Sequence, residues 1–182
     1  MNREQLGAAL VRRAYLEGDF VLRSGRRSRY YLDKYRFETD PALLAGLGRE
    51  LGELVRSAGG DPDLLAGPEL GAVPLAAVTA VETGLPYLIV RKEAKEYGTA
   101  KRLEGVHEPG QRVCVVEDVV TSGGALLSAV DALRAAGLDV SAAICVVDRE
   151  EGGAEAITAA GVAFTALFTS SGLGVGTASA NA

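Results

Sequence analysis

The run Val113-Cys114-Val115-Val116-Glu117-Asp118-Val119-Val120-Thr121-Ser122-Gly123-Gly124-Ala125 constrains this chain more than any other segment. Four apolar residues lead into two adjacent carboxylates. Two more apolar residues follow, and Thr-Ser-Gly-Gly then opens a helical pattern that runs to Ala136. The pattern describes a buried strand that carries an acidic pair to a sheet edge, then a turn of small residues into a helix N-terminus. Backbone amides at such a turn point outward and the helix dipole adds partial positive charge, so the turn suits a phosphate. The carboxylates suit hydroxyl groups, such as a ribose 2'-OH and 3'-OH, or a hard cation bound with them. One short segment therefore offers grips for both parts of a ribose 5-phosphate. The plainer alternative is a strand that ends in a solvated acidic turn, with Ser122 as a helix cap.

The 182 residues suffice for one domain, and an apolar content of 48% supplies a sizeable core. A net charge of -5, without a broad basic patch, argues against a nucleic-acid partner. No apolar stretch reaches the length of a membrane span, and the N-terminus lacks the pattern of a signal peptide. A soluble, cytoplasmic protein with no membrane partner is expected. Cys114 and Cys145 lie inside apolar, strand-like runs. They read as buried free thiols in a reducing compartment, with a disulfide or a metal site as the alternative. His107, the single histidine, reads as a surface loop residue and offers neither a metal cluster nor a triad.

Periodicity predicts alternating helices and strands. Helices are expected over residues 4–17, 41–58, 73–82, 122–136 and 153–160, with Asp40 capping the second and Pro41 at its first position. Strands are expected at 20–22 and 30–32, flanking a hairpin turn, and at 64–66, 86–90, 112–116, 140–147 and 162–168. Gly67-Pro68 reads as a break after the third of these. Strands joined by helices imply an α/β fold, with a mainly parallel sheet covered on both faces. The opening helix and hairpin, residues 1–36, would form a small N-terminal hood over the C-terminal edge of that sheet. The core would span 40–169. The tail, 170–182, is rich in Ser, Gly, Thr and Ala and reads as a frayed terminus.

One long polar stretch, 91–109, interrupts two buried strands, and a loop of that length in a compact domain is usually functional. It opens Arg91-Lys92-Glu93-Ala94-Lys95-Glu96-Tyr97-Gly98. Three cations in five residues suit a pyrophosphate; a merely solvated surface loop is the alternative.

The Val113 to Ala125 segment resembles the ribose-phosphate signature of the type I phosphoribosyltransferases, which transfer ribose phosphate from phosphoribosyl pyrophosphate (PRPP) to a base. The wider pattern resembles the orotate phosphoribosyltransferases, especially their short archaeal-type forms. That pattern comprises Phe20-Val21-Leu22-Arg23-Ser24-Gly25 with Ser28, Tyr30-Tyr31, Asp33-Lys34, Gly67-Pro68-Glu69-Leu70-Gly71-Ala72-Val73-Pro74, the loop opened by Arg91, and Asp148-Arg149-Glu150.

The resemblance implies roles residue by residue. Arg91, Lys92, Lys95 and Tyr97 would bind PRPP, with Lys92, Lys95 and Asp118 as the catalytic set and some loop residues acting in a neighbouring subunit. Glu117 and Asp118 would face the ribose hydroxyls. Val119 and Val120 would contact PRPP, and Thr121, Ser122, Gly123, Gly124 and Ala125 would cradle the 5'-phosphate. Thr121, Arg149, Arg23 and Tyr31 would bind orotate, with the Arg149 fork on its carboxylate. Mg2+ would be carried mainly by PRPP, near Glu117 and Asp118, and a homodimer would be the active form. Departures from the family stand at four places. Tyr97 replaces a frequent histidine, and a phenol is a poor proton donor near neutral pH. Glu117 replaces Asp, Arg23 replaces Lys, and Gly71 stands where some bacterial relatives place a PRPP-binding Lys. A phosphoribosyltransferase for a purine base, and a non-catalytic PRPP sensor, remain as alternatives.

Overall fold

The structure is a computed structural model and describes residues 1–21, 27–58, 60–93 and 102–175. Arg23, Lys95 and Tyr97 lie outside the described residues. The chain opens with α1 (Arg3–Ala14), whose first turn is closed by a capping box between Asn2 and Gln5. The antiparallel strands β1 (Tyr15–Val21) and β2 (Arg27–Leu32) follow. Next come α2 (Tyr35–Glu38), α3 (Pro41–Ser57), β3 (Leu64–Pro68), α4 (Ala72–Thr83), β4 (Tyr87–Val90) and β5 (Leu103–Glu104). The last elements are β6 (Arg112–Val120), α5 (Gly124–Ala135), β7 (Asp139–Asp148), α6 (Gly153–Ala159) and β8 (Ala163–Thr169).

Six strands form one sheet in the order β5-β4-β3-β6-β7-β8. Every pairing is parallel except that of β4 with the short β5. One face packs against α1, α3 and α4 through Leu6, Leu10, Leu47, Leu51, Leu75, Val116 and Ile144. The other packs against α5 and α6 through Leu126, Val130, Leu133 and Ile157 over Val113, Val115 and Val140. Each fully buried aliphatic side chain contributes roughly 1.5–3 kcal/mol, so both faces hold the sheet. Cys114 and Cys145 are buried free thiols on β6 and β7. Burial pushes Cys114 up to about 12, and burial with neighbouring carboxylates pushes Cys145 well up.

Several boundaries differ from the expected ones. The first helix stops at Ala14, because Tyr15, Leu16 and Glu17 pair with Leu32, Tyr31 and Tyr30 in the ribbon. Gly67-Pro68 does not break β3. Leu65 and Glu69 donate their N–H groups to Pro86 and Val90, on the β4 side. The donor that Pro68 lacks would therefore point toward β6, whose register with β3 ends at Ala66. Strand β6 runs through the acidic pair to Val120, which pairs with Asp148. α2 and β5 are too short for a periodicity to register.

The N-terminal part is not all hood. Leu6, Leu10 and Ala14 belong to the same buried cluster as the main sheet, and only β1 and β2 form a sheet of their own. The tail is also not frayed throughout. Ser170 N–H donates to Asp148 O and Val175 N–H to Ser170 O, and Val175 is buried. Glu150 adds a clamp: its carboxylate accepts from Ser171 N at 2.7 Å and Oγ at 2.8 Å. Residues 176–182 lie outside the described residues.

Candidate active site

Strand order sets the position of the site. From β3 the chain crosses to β4 on one side and later to β6 on the other, so the order reverses between β3 and β6. Ligand crevices in such sheets open beyond the carboxyl ends of the strands at that reversal. A cavity of about 580 Å³ lies there, lined by the ends of β3 (Pro68, Glu69), β4 (Val90, Arg91) and β6 with its following turn.

The turn itself is Thr121 to Ala125. Gly123 is the N-cap of α5 with φ +79°, a left-handed conformation that disfavours a side chain. A Cβ there would also meet Gly153 O at 3.2 Å. Thr121, Ser122, Gly124 and Ala125 are exposed to the cavity, and Val119 and Val120 complete its wall. The first amides of a helix have no partner within it, so those of α5 open toward this space.

The acidic pair divides its contacts. Glu117 lines the cavity and is 6% exposed. Burial, reinforced by the charge of Asp118, pushes its carboxyl up to about 8, although the Asp118 N–H donates to it at 3.0 Å. Asp118 is turned instead to Lys34, with Oδ2 2.6 Å from Nζ. Burial lowers the Lys34 ammonium, but Asp118 and the nearby carboxylates outweigh it and hold it above the usual value. Glu38 stands beside them, 2% exposed, where its carboxyl, once protonated, can donate to Asp118. Burial first and the Asp118 charge second push Glu38 up to about 8. A Cβ on Gly71 would run into Asp118 Oδ2 and the Glu38 carboxylate, so glycine is what lets α4 start against this cluster.

Cations gather on the opposite wall. Arg91 and Lys92 line the cavity, and the Lys92 N–H donates to Glu69 Oε1 at 2.7 Å. The Arg91 Nε is buried without a hydrogen-bond partner. Sequence reasoning missed Arg102, which also lines the cavity. Its Nε donates to Arg91 O and its Nη2 to Ser128 Oγ, each at 3.2 Å. The polar stretch 91–109 contained it, but its hydrogen bond to Arg91 O is a tertiary fact.

Among the described residues, the cavity wall does not include Arg149 or Tyr31. Arg149 follows β7 and its N–H donates to Val120 O, one strand from the turn. Its guanidinium meets Tyr30, not Tyr31: Nη2 donates to the Tyr30 hydroxyl at 2.8 Å. Tyr30 stacks on Tyr15 at 5.7 Å, whereas Tyr31 is 41% exposed against Phe20. His107 is half-buried, and its Nδ1 has no hydrogen-bond partner. Among the described residues, no group of three or more His, Cys, Asp or Glu is arranged to hold a metal ion, and no helix is long and apolar enough to cross a membrane.

The phosphoribosyl transferase domain family matches residues 36–164. An orotate phosphoribosyltransferase of Halobacterium salinarum is 52% identical over 157 residues, covering 86% of this chain and 87% of its own. A crystal structure of Mycobacterium tuberculosis orotate phosphoribosyltransferase superposes with a TM-score of 0.84 at 36% identity, covering 95% of this chain and 99% of its own. The same enzyme in complex with 5-phospho-alpha-D-ribosyl 1-diphosphate (PRPP) gives 0.81 at 34% identity, again over 95% and 99%. Matched in sequence over most of its length and superposed on a solved member at a TM-score of 0.84, the chain belongs to the orotate phosphoribosyltransferase family.

Proposed function

We propose that this cleft carries out the family's reaction in pyrimidine biosynthesis, the transfer of ribose 5-phosphate from PRPP to orotate. The bond from the anomeric carbon to pyrophosphate breaks, N1 of orotate bonds to that carbon, and orotidine 5'-monophosphate and pyrophosphate leave. The observation that carries the reading is the β6–turn–α5 unit on the cavity wall, with Glu117 and the Thr121 to Ala125 turn side by side. The 5'-phosphate would sit on the turn amides and the ribose hydroxyls near Glu117. Arg91, Lys92 and Arg102 face the place where pyrophosphate would depart. Their charges, with Lys95 from the loop, would offset negative charge growing on the leaving group. Positive charge develops on the ribose ring in the transition state, so positioning and electrostatics matter more than a covalent nucleophile.

Mg2+ fits here as a substrate-borne ion. It commonly keeps water and binds phosphates with one or two carboxylates. Glu117 of the signature lines the cavity and could supply one such carboxylate. When bound, the ion would neutralise pyrophosphate oxygens. The ribbon β1–β2 would act as the hood, orotate would enter beneath it with its carboxylate toward Arg149, and a homodimer would share loop residues between subunits. Two buried free thiols fit a reducing cytoplasm.

The deciding experiment follows orotate absorbance with purified protein, PRPP and Mg2+, with adenine and hypoxanthine in parallel. PRPP-dependent loss of orotate alone supports the reading. Turnover of a purine base in its place, or PRPP binding without any turnover, overturns it.

A further inference from the structure

Position 150 holds a glutamate where the backbone suits a glycine. β7 ends at Asp148, and the chain turns toward α6 through Glu150, whose φ is +57°. That left-handed conformation is routine for glycine and tolerable for asparagine or aspartate, but it strains a glutamate. Such a residue persists where its surroundings over-determine it.

The surroundings here are a set of named bonds. Arg149 N–H donates to Val120 O at the end of β6, and Ser170 N–H, just past β8, donates to Asp148 O, each at 2.8 Å. Glu150 N–H donates back to Asp148 Oδ1 at 2.9 Å. The Glu150 carboxylate reaches the other way and accepts from both Ser171 N and Ser171 Oγ. Thr169 Oγ1 accepts from Gly172 N at 3.0 Å and closes the same turn. Residues 169–172 are thus folded around one carboxylate. That grip fixes the peptide between residues 149 and 150. Were Glu150 to relax out of the left-handed region, this peptide would reorient and carry the root of the Arg149 side chain with it. The side chain is long and reaches the Tyr30 hydroxyl on β2, so a small rotation at its root moves the guanidinium much further.

We propose that Glu150 is a positioning residue for orotate: its grip on Ser171 keeps residue 150 left-handed and thereby aims the Arg149 guanidinium at the substrate's carboxylate. The inference rests on the reading that Arg149 receives that carboxylate. It gives the turn after β8 a part in recognising the base, through a residue that touches no substrate. Glu150 and Ser171 are both exposed, so the grip can be removed without opening a cavity in the core.

The test is steady-state kinetics on Glu150→Ala, which removes the grip and keeps the strain. KM for orotate should rise about five-fold or more, with KM for PRPP held within about two-fold. Glu150→Gly removes grip and strain together, so its KM for orotate should fall between those of Glu150→Ala and wild type. Glu150→Gln keeps an oxygen for Ser171 N and should stay nearer wild type. In an Arg149→Ala background the effect of Glu150→Ala should vanish, as a double-mutant cycle requires of one residue acting through another. If KM for PRPP rises as much as KM for orotate, or Glu150→Gly is no better than Glu150→Ala, Glu150 merely holds the fold and the inference is overturned. If Arg149→Ala raises KM for orotate but Glu150→Ala leaves it unchanged, the inference is overturned and the site reading stands. If Arg149→Ala leaves KM for orotate unchanged, the site reading itself fails. Circular dichroism melts establish that each variant is folded. Should Glu150→Ala not fold, Ser171→Ala, which removes the Oγ bond alone, carries the test in its place.

Discussion

Glu38 sits where α2 meets the acidic pair, buried beside Asp118. Its carboxyl, like that of Glu117, is pushed up to about 8 from 4.5. The folded protein thus holds protons that the unfolded chain gives up between those values. Stability from these groups is fully present below pH 4.5 and is lost as pH rises toward about 8. Glu38→Gln removes one of the two groups. It should therefore stabilise the fold relative to wild type by on the order of 1–2 kcal/mol at pH 8 and by little at pH 4.5, as read from urea titrations at both pH values. Nothing in the sequence flags Glu38: it lies in a four-residue helix, and its raised carboxyl owes part of its shift to Asp118, eighty positions away. Glu117 and Asp118 were legible because adjacency to an apolar strand is a local pattern. Their division between cavity and Lys34 was not, because Lys34 arrives from another element.

At the level of elements, the strand–turn–helix at β6 and α5 was readable from the run Val113 to Ala125, since each part has its own local signature. The turn's geometry makes a sharp expectation. Gly123→Ala would force a Cβ into a left-handed residue and against Gly153 O, at a cost of about 1–2 kcal/mol. It should also raise KM for PRPP about ten-fold or more, because a 1 Å displacement of positioning groups is that costly. α1 gives the opposite lesson. Its helical spacing was clear, yet nothing local distinguishes a helix that caps a site from one that packs into the core. Leu10 is fully buried in the main cluster, so Leu10→Ala should lower stability by about 2–5 kcal/mol, measurable as a lower midpoint in urea. A helix belonging only to a detachable hood would lose far less. The end of the first helix was misread for a related reason: Tyr15 to Glu17 continue its pattern, and only pairing with β2 pulls them into a strand.

For the whole molecule, the central question is whether one chain completes a site. A homodimer that shares the 91–109 loop makes a direct prediction. Lys95→Ala and Arg149→Ala, if each lowers activity alone, should regain part of it when unfolded and refolded together, because one site of the hybrid receives both intact residues. A mixture that stays inactive would confine each site to its own chain. The sheet adds a different consequence. Cys114 and Cys145 lie on β6 and β7, within a sheet covered on both faces, and burial keeps both thiols protonated. A thiol so placed does not react with alkylating agents until the centre of the sheet opens. The native protein therefore carries two built-in clocks. Their labelling rate should track opening of the central strands, and saturating PRPP should slow both together.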